Sequence, residues 1–172
     1  LGAKDYAACD ASLANTAPGS RIRFWHPDTE SFPIVHSNPD PVRLDDGPAD
    51  FAHDFAAVVD SSLGLVYRYG MKIAGPDAAN DKSPISVCGG PSTSEGIMKR
   101  IAAIWNRPAI QAGQAGAALG AAVAAAVAIV PEGERDIVAE KLRQAIFTGK
   151  GVIQPDPEMV KAYHAEGGYL DQ

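Results

Sequence analysis

Residues 84–130 constrain the fold of this chain more than any other stretch. A short apolar segment, Ile85-Ser86-Val87-Cys88, stops at Gly89-Gly90, and a helical pattern begins at once. A second short segment, Ala109-Ile110-Gln111, runs into an alanine-rich stretch opening at Gln114-Ala115-Gly116-Ala117-Ala118-Leu119-Gly120-Ala121-Ala122. Such short segments between helices suit buried parallel strands better than helices. A strand that halts at glycines and turns into a helix leaves unpaired N–H groups at the positive end of the helix dipole. That junction can receive a nucleotide. The pattern by itself is unspecific, because many strand–helix crossovers share it.

The elements around this stretch are read from periodicity and punctuation. Ser92-Thr93-Ser94-Glu95 has the form of a capping box, with Ser92 as N-cap and Glu95 at N3. Ile97, Met98, Ile101, Ile104 and Trp105 then form an apolar face, ended by Asn106-Arg107-Pro108. Gly116 and Gly120 lie on one face of the alanine-rich helix and allow close approach, so it reads as a buried helix. Its low-polarity run, 115–130, falls short of the ~20 apolar residues that span a bilayer.

Upstream, Phe51, Phe55, Val58, Val59, Leu63, Val66 and Ile73 recur at helical steps, predicting a long amphipathic helix opened by Asp50 and stopped by Gly75-Pro76. A short helix is expected over 4–15, another over 134–147 with Ile137, Val138, Leu142, Ala145 and Ile146 inward, and a last one within 155–166. Pro18, Pro27, Pro33, Pro39, Pro41 and Pro48 exclude a long helix between them. Ile22, Phe24, Ile34 and Val35 could supply short strands there. Helices alternating with strands over short connections predict an α/β layer structure with parallel strands. Two strands cannot cover three apolar helices, so more must come from the proline-rich segment, another chain, or a missing part of the polypeptide. The face carrying Phe51, Phe55, Val59 and Val66 also needs cover, and a homo-oligomer is one source of it.

Composition removes several classes of function. The 172 residues are 46% hydrophobic and 21% charged, which is globular, and the net charge is −6. An acidic chain lacks the basic face of a non-specific nucleic-acid binder and the polybasic anchor of an anionic membrane. Cys9 and Cys88 lie far apart, forming neither a metal pattern nor a secreted disulfide framework, so a cytoplasmic setting is expected. The start, Leu1-Gly2-Ala3-Lys4-Asp5, has no initiator methionine and no signal pattern, as expected of a fragment.

Most candidate chemistry is absent. There is no Gly-x-Ser-x-Gly elbow and no Gly-x-Gly-x-x-Gly fingerprint. Thr148-Gly149-Lys150-Gly151 lacks phosphate-loop spacing, and Gly149 reads as a helix cap. His26, His36, His53 and His164 make no i, i+4 pair. Asp45, Asp46, Asp50 and Asp54 could hold magnesium, although placement at a helix N-terminus accounts for Asp50 and its neighbours. Glu30 has no acid partner that spacing identifies. The Gly89-Gly90 junction remains. In the structural reading it is a tight turn from which Pro91 and Ser92 launch a helix. In the functional reading an adenine ring or ribose packs on the glycine backbone, with room left by Pro91 and Ser94, under the small-residue helix.

At this point the chain resembles the C-terminal part of an FGGY carbohydrate kinase. Cys88-Gly89-Gly90-Pro91-Ser92-Thr93-Ser94, the helix to Trp105 and Asn106-Arg107-Pro108-Ala109 are similar to the family's adenosine motif and its sequel. Ala118-Leu119-Gly120-Ala121-Ala122 resembles the core of its next helix. Pro18-Gly19-Ser20, Phe24-Trp25-His26-Pro27 and Glu30-Ser31-Phe32-Pro33 resemble upstream landmarks, and Asp60 stands where a glutamate is usual. The resemblance implies an α/β fold of the actin-like ATPase (ribonuclease H-like) kind. This chain would be an incomplete second domain, supplying its last two strands and its three main helices. Within it, 1–48 is irregular or extended, 49–75 the long helix, 84–130 the adenosine region and 131–172 the C-terminal helices.

The resemblance further implies Gly90, Pro91 and Ser94 on the adenosine, with Gly89 setting the turn. It implies ATP and Mg2+ as cofactors and a sugar or polyol as substrate. The catalytic and metal-holding segments of the family match nothing here, so no catalytic or metal residue is assigned and the segment alone is expected to be inactive without an N-terminal kinase domain. Pro91 replaces a usual glycine or alanine, Ala115 a common acid and Ser31 an arginine. Those departures favour an alternative, a non-catalytic actin-like module that binds nucleotide or a partner protein.

Overall fold

The computed structural model describes residues 6–24, 42–112, 116–146 and 150–171. Readings at Trp25, His26, Pro27, Glu30, Ser31, Phe32, Pro33, Ile34, Val35, His36, Gln114, Ala115, Thr148 and Gly149 lie outside the described residues.

The described residues form helices α1 (Tyr6–Asn15), α2 (Phe51–Ala74), α3 (Glu95–Trp105), α4 (Gly116–Ala128), α5 (Arg135–Ile146) and α6 (Pro157–His164). Strands β1 (Arg23–Phe24) and β2 (Val42–Arg43) make a small antiparallel pair. Strands β3 (Ile85–Val87), β4 (Ala109–Gln111) and β5 (Lys150–Ile153) make a second sheet in that order. The β3–β4 pairing is parallel, with Ile85 opposite Ala109, as a strand–helix–strand unit requires.

β5 is antiparallel to β4 and was not expected from the sequence. Gly151 sits in it at φ 72°, and the β4–β5 register shifts between Ile110 and Gln111. A strand interrupted by glycine and a bulge has no clean alternation to read. The proline-rich segment supplies β1 and β2, but to their own pair rather than to the main sheet.

The centre of the fold is α3. Met98, Ile101, Ala102, Ala103 and Ile104 are buried on it, and Ala109 of β4 is buried beside them. One cluster joins Met98, Ile101 and Ala102 to Ile85, Val87 and Ile153 of the sheet. The other joins Ala103 and Ile104 to Tyr163 of α6 and Tyr169 beyond it. Gly96 faces Leu13 of α1, where an added Cβ would lie 2.8 Å from the leucine Cβ, so glycine permits this helix contact.

α2 turns a different face inward from the one its large apolar residues suggest. Its buried residues are Ala56, Ala57, Asp60, Ser61 and Gly64. Val66 is 59% and Ile73 87% exposed. Small residues let α1, α3 and the Tyr169 turn approach α2 closely, and close approach rather than bulk decides this face. Asp50 caps the helix, accepting from the His53 N–H at 3.0 Å.

Asp60 is the buried acid at the middle of that face. Its Oδ1 lies 2.9 Å from Arg100 Nε and accepts from the Tyr163 hydroxyl at 2.7 Å, while Oδ2 accepts from the Gly19 N–H at 2.9 Å. Arg100 also donates to the carbonyls of Leu13 and Thr16. Burial pushes the Asp60 carboxyl upward, opposed first by the Arg100 charge and then by the Tyr163 and Gly19 bonds.

The alanine-rich α4 is not buried. Ala118, Gly120, Ala121, Ala122, Ala124, Ala125 and Ala128 are exposed, and an added Cβ at Gly120 would meet nothing within 4 Å. Its chief contact among the described residues is α5. Ile137, expected inward on α5, is 57% exposed. Ala145 and Ile146 lie outside the residues whose side chains are described. Small side chains permit close packing without supplying a partner.

Candidate nucleotide site

The Gly89-Gly90 junction is built by backbone conformation. Gly89 has φ 79°, a left-handed value that favours glycine. Gly90–Thr93 then form a single 3-10 turn with Pro91 in its first positions, where a missing N–H costs nothing. The Ser92 hydroxyl donates to the Gly89 carbonyl and the Thr93 hydroxyl to the Gly90 carbonyl, both at 2.7 Å. The helix therefore starts later than a capping box at Ser92 predicts. Ser94 is the N-cap of α3, accepting from the Ile97 N–H, while Ser92 is buried within the preceding turn. The 3-10 turn takes in Ser92 and Thr93, which the capping-box reading made the N-cap and the first helical residue.

Gly90, Pro91 and Ser94 line one cavity of about 560 Å³, and Gly89 stands at its edge as the hinge. An added Cβ at Gly90 would meet nothing within 4 Å, so that surface is open. The opposite wall is Tyr6, Cys9, Asp10 and Leu13 of α1, with Phe55 of α2 and Ile97 of α3. Among the described residues the roof is thus α1 and the start of α2, not the alanine-rich α4. Sequence reading did not assign Tyr6, Cys9, Asp10 or Leu13 to this site, although their spacing of three and four residues marks one helix face.

Ser94 joins the two walls: its hydroxyl donates to Asp10 Oδ1 at 2.6 Å. Asp10 is the one charged residue among those described in the lining. The cavity therefore offers apolar and aromatic surface, exposed glycine backbone and a single carboxylate. Such a set fits a neutral ring system with hydrogen-bond donors. Among the described lining residues there is no cation for a polyphosphate.

The other candidates separate. Asp45 accepts from the Ile22 and Gly47 N–H groups and pairs with Arg21 at 3.6 Å. Asp54 binds Arg43 through both oxygens, and Asp50 is taken by His53. Among the described residues no group of three or more acids, histidines or cysteines is placed to hold a metal. His164 meets the Ile104 carbonyl at 2.8 Å. Cys9 and Cys88 are both free thiols.

The mixed sheet backed by helices, with a strand–glycine–helix junction beside a cavity, has the actin-like (ribonuclease H-like) fold that the resemblance implies. The fold is similar to the crystal structure of xylulose kinase from Rhodospirillum rubrum, with a TM-score of 0.61 and 19% identity. That likeness covers 94% of this chain and 32% of the kinase, so the chain spans about a third of its relative's length. The profile of the FGGY family of carbohydrate kinases, C-terminal domain, matches residues 6–129, and the chain belongs to that family. No curated protein matches it.

Proposed function

We propose that this chain is the adenosine-binding wall of an ATP-dependent kinase that transfers a phosphoryl group to a hydroxyl of a sugar or polyol. The observation that carries the reading is the shared cavity of Gly90, Pro91 and Ser94 behind the Gly89 turn. Its open glycine surface and apolar walls suit a nucleoside. ATP supplies the phosphoryl group and Mg2+ the charge neutralisation that phosphoryl transfer needs. The described residues fit the nucleoside end of ATP; in this reading the phosphates, Mg2+ and sugar belong to an N-terminal kinase domain.

The setting is the cytoplasm, which suits the two free thiols. Neither nucleic acid nor membrane is a partner in this reading, and no helix among the described residues is long and apolar enough to cross a membrane. The exposed Val66, Tyr69 and Ile73 of α2 favour contact with a second copy or with the rest of the kinase.

The test is ADP release by the intact polypeptide across a panel of sugars and polyols. Sugar-dependent release is expected there and none from the 172-residue chain alone; release independent of every sugar would sink the proposal. Pro91, exposed at the cavity where the family has a smaller residue, favours a second reading as a non-catalytic nucleotide-binding module. A Gly-x-x-Asp catalytic segment in the upstream coding region would decide for the kinase.

A further inference from the structure

We infer that this chain associates with a second copy of itself: the basic, apolar stripe on the C-terminal half of α2 in one copy seats on the acidic, apolar tip of the α4–α5 hairpin in the next. The contact uses residues outside the cavity behind the Gly89 turn, so it does not depend on how that cavity is read.

The first surface is on α2. Leu65, Val66, Tyr69 and Ile73 follow one another at steps of three and four, so they share one side of the helix, and all four are exposed. Single exposed apolar residues need no cover, but a contiguous stripe marks an interface. Its charge is of one sign: Arg68 and Lys72 stand on this half of the helix, and no acid falls between Ser61 and Pro76. The Lys72 ammonium lies 5.8 Å from the centre of the Tyr69 ring, which keeps that cation over the stripe. A cavity of about 500 Å³ opens here, lined by Leu65, Tyr67, Tyr69 and Met71 with both cations, so the surface is concave.

The same chain carries the complement. Ile129, just past α4, is 86% exposed, and Ile137 is exposed on α5. Glu132, Glu134, Asp136 and Glu140 are exposed around them. The described bases between 129 and 141 are Arg135 and Lys141, and the Arg135 Nε is turned back to donate to the Val130 carbonyl. The tip is therefore acidic, with two isoleucines set among its carboxylates. Ile73 and Ile129 both stay exposed within one copy, so neither covers the other. Opposite charge around matching apolar residues steers encounter and fixes register. A foreign partner would have to reproduce a complement that every copy already holds. Each copy has one surface of each kind, so the contact runs head to tail.

The experiment is analytical sedimentation of the 172-residue chain over a range of concentrations, beside Lys72→Glu and the double variant Glu132→Lys, Glu134→Lys. The unaltered chain should associate, less strongly as salt rises. Each variant alone should associate on the order of tenfold more weakly, because an attraction becomes a repulsion. An equal mixture of the two variants should re-form pairs, since the unaltered tip of one meets the unaltered stripe of the other. A chain that stays monomeric, variants that associate as the unaltered chain does, or a mixture that restores nothing would each overturn the inference. The salt series needs no variant to fold, and association that salt leaves unchanged would overturn it as well. The intact polypeptide is run last: association of the 172-residue chain that disappears there would show the rest of the polypeptide, not a second copy, to be the occupant, and would also overturn it.

Discussion

Arg100 Nε lies 2.9 Å from Asp60 Oδ1, and each side chain is only 2% exposed. The pair ties α3 to α2 at the point where α1, α6 and the turn at Gly19 converge. Removing one member of a buried pair strands the other's charge, which costs about 3–5 kcal/mol. Asp60→Ala and Arg100→Ala should each lower the unfolding free energy measured in urea by that much. The double variant should lose clearly less than the sum, because the second change no longer strands a charge. Additive losses would show that the two residues act separately.

Two tyrosines beside this pair set an alkaline limit. Burial, and then the Asp60 charge, raises the Tyr163 hydroxyl far above its ordinary range. Burial likewise raises Tyr169 to about 12, against the Ser61 hydrogen bond. Both groups stay protonated in the folded chain where the unfolded chain releases its protons, so stability is complete below about pH 10. It falls as pH rises from there through 12, by roughly 1.4 kcal/mol for each unit by which the folded value exceeds the unfolded one. Denaturant unfolding at pH 8, 10 and 11.5 checks this. A midpoint that holds steady to pH 11.5 would contradict it.

The two glycines of the junction should respond differently to a methyl group. Gly89→Ala forces a side chain into φ 79° and should cost on the order of 1–2 kcal/mol. Gly90→Ala meets nothing within 4 Å, so its stability should be nearly unchanged while its methyl occupies the open surface of the cavity. Thermal unfolding distinguishes them; nucleoside affinity should fall in Gly90→Ala.

The cap can be assigned by substitution as well. Ser94→Ala removes the N-cap bond to Ile97 and the contact to Asp10, and should cost about 1–2 kcal/mol. A cap at Ser92 would instead leave Ser94→Ala neutral in chemical unfolding.

The sequence made the frame legible where local chemistry is strict. Gly89 must adopt a positive φ, Gly75 must stop α2, and Ile85-Ser86-Val87 can only be a short strand between helices. What escaped depends on neighbours far away in the chain. Asp60 and Arg100 look like surface charges on two helices until α2 and α3 are packed together, and the small face of α2 has no hydrophobic signal. Alanines in α4 read as buried because they are apolar, although among the described residues α5 is the chief contact of α4 and most of those alanines stay exposed. In the candidate site, Gly90, Pro91 and Ser94 were visible as a motif. Their opposite wall on α1 was not, since about eighty residues separate Asp10 from Ser94 and only folding brings them within 2.6 Å.

The most direct measurement is a titration of the isotopically labelled chain with adenosine, followed by the backbone amide resonances. If the cavity behind the Gly89 turn is the nucleoside site, shifts should concentrate at Gly90, Thr93 and Ser94 and on the facing turn of α1 from Tyr6 to Leu13. Resonances that stay in place there, or move instead around a separate cavity lined by Leu44, Arg68 and Leu170, would contradict it.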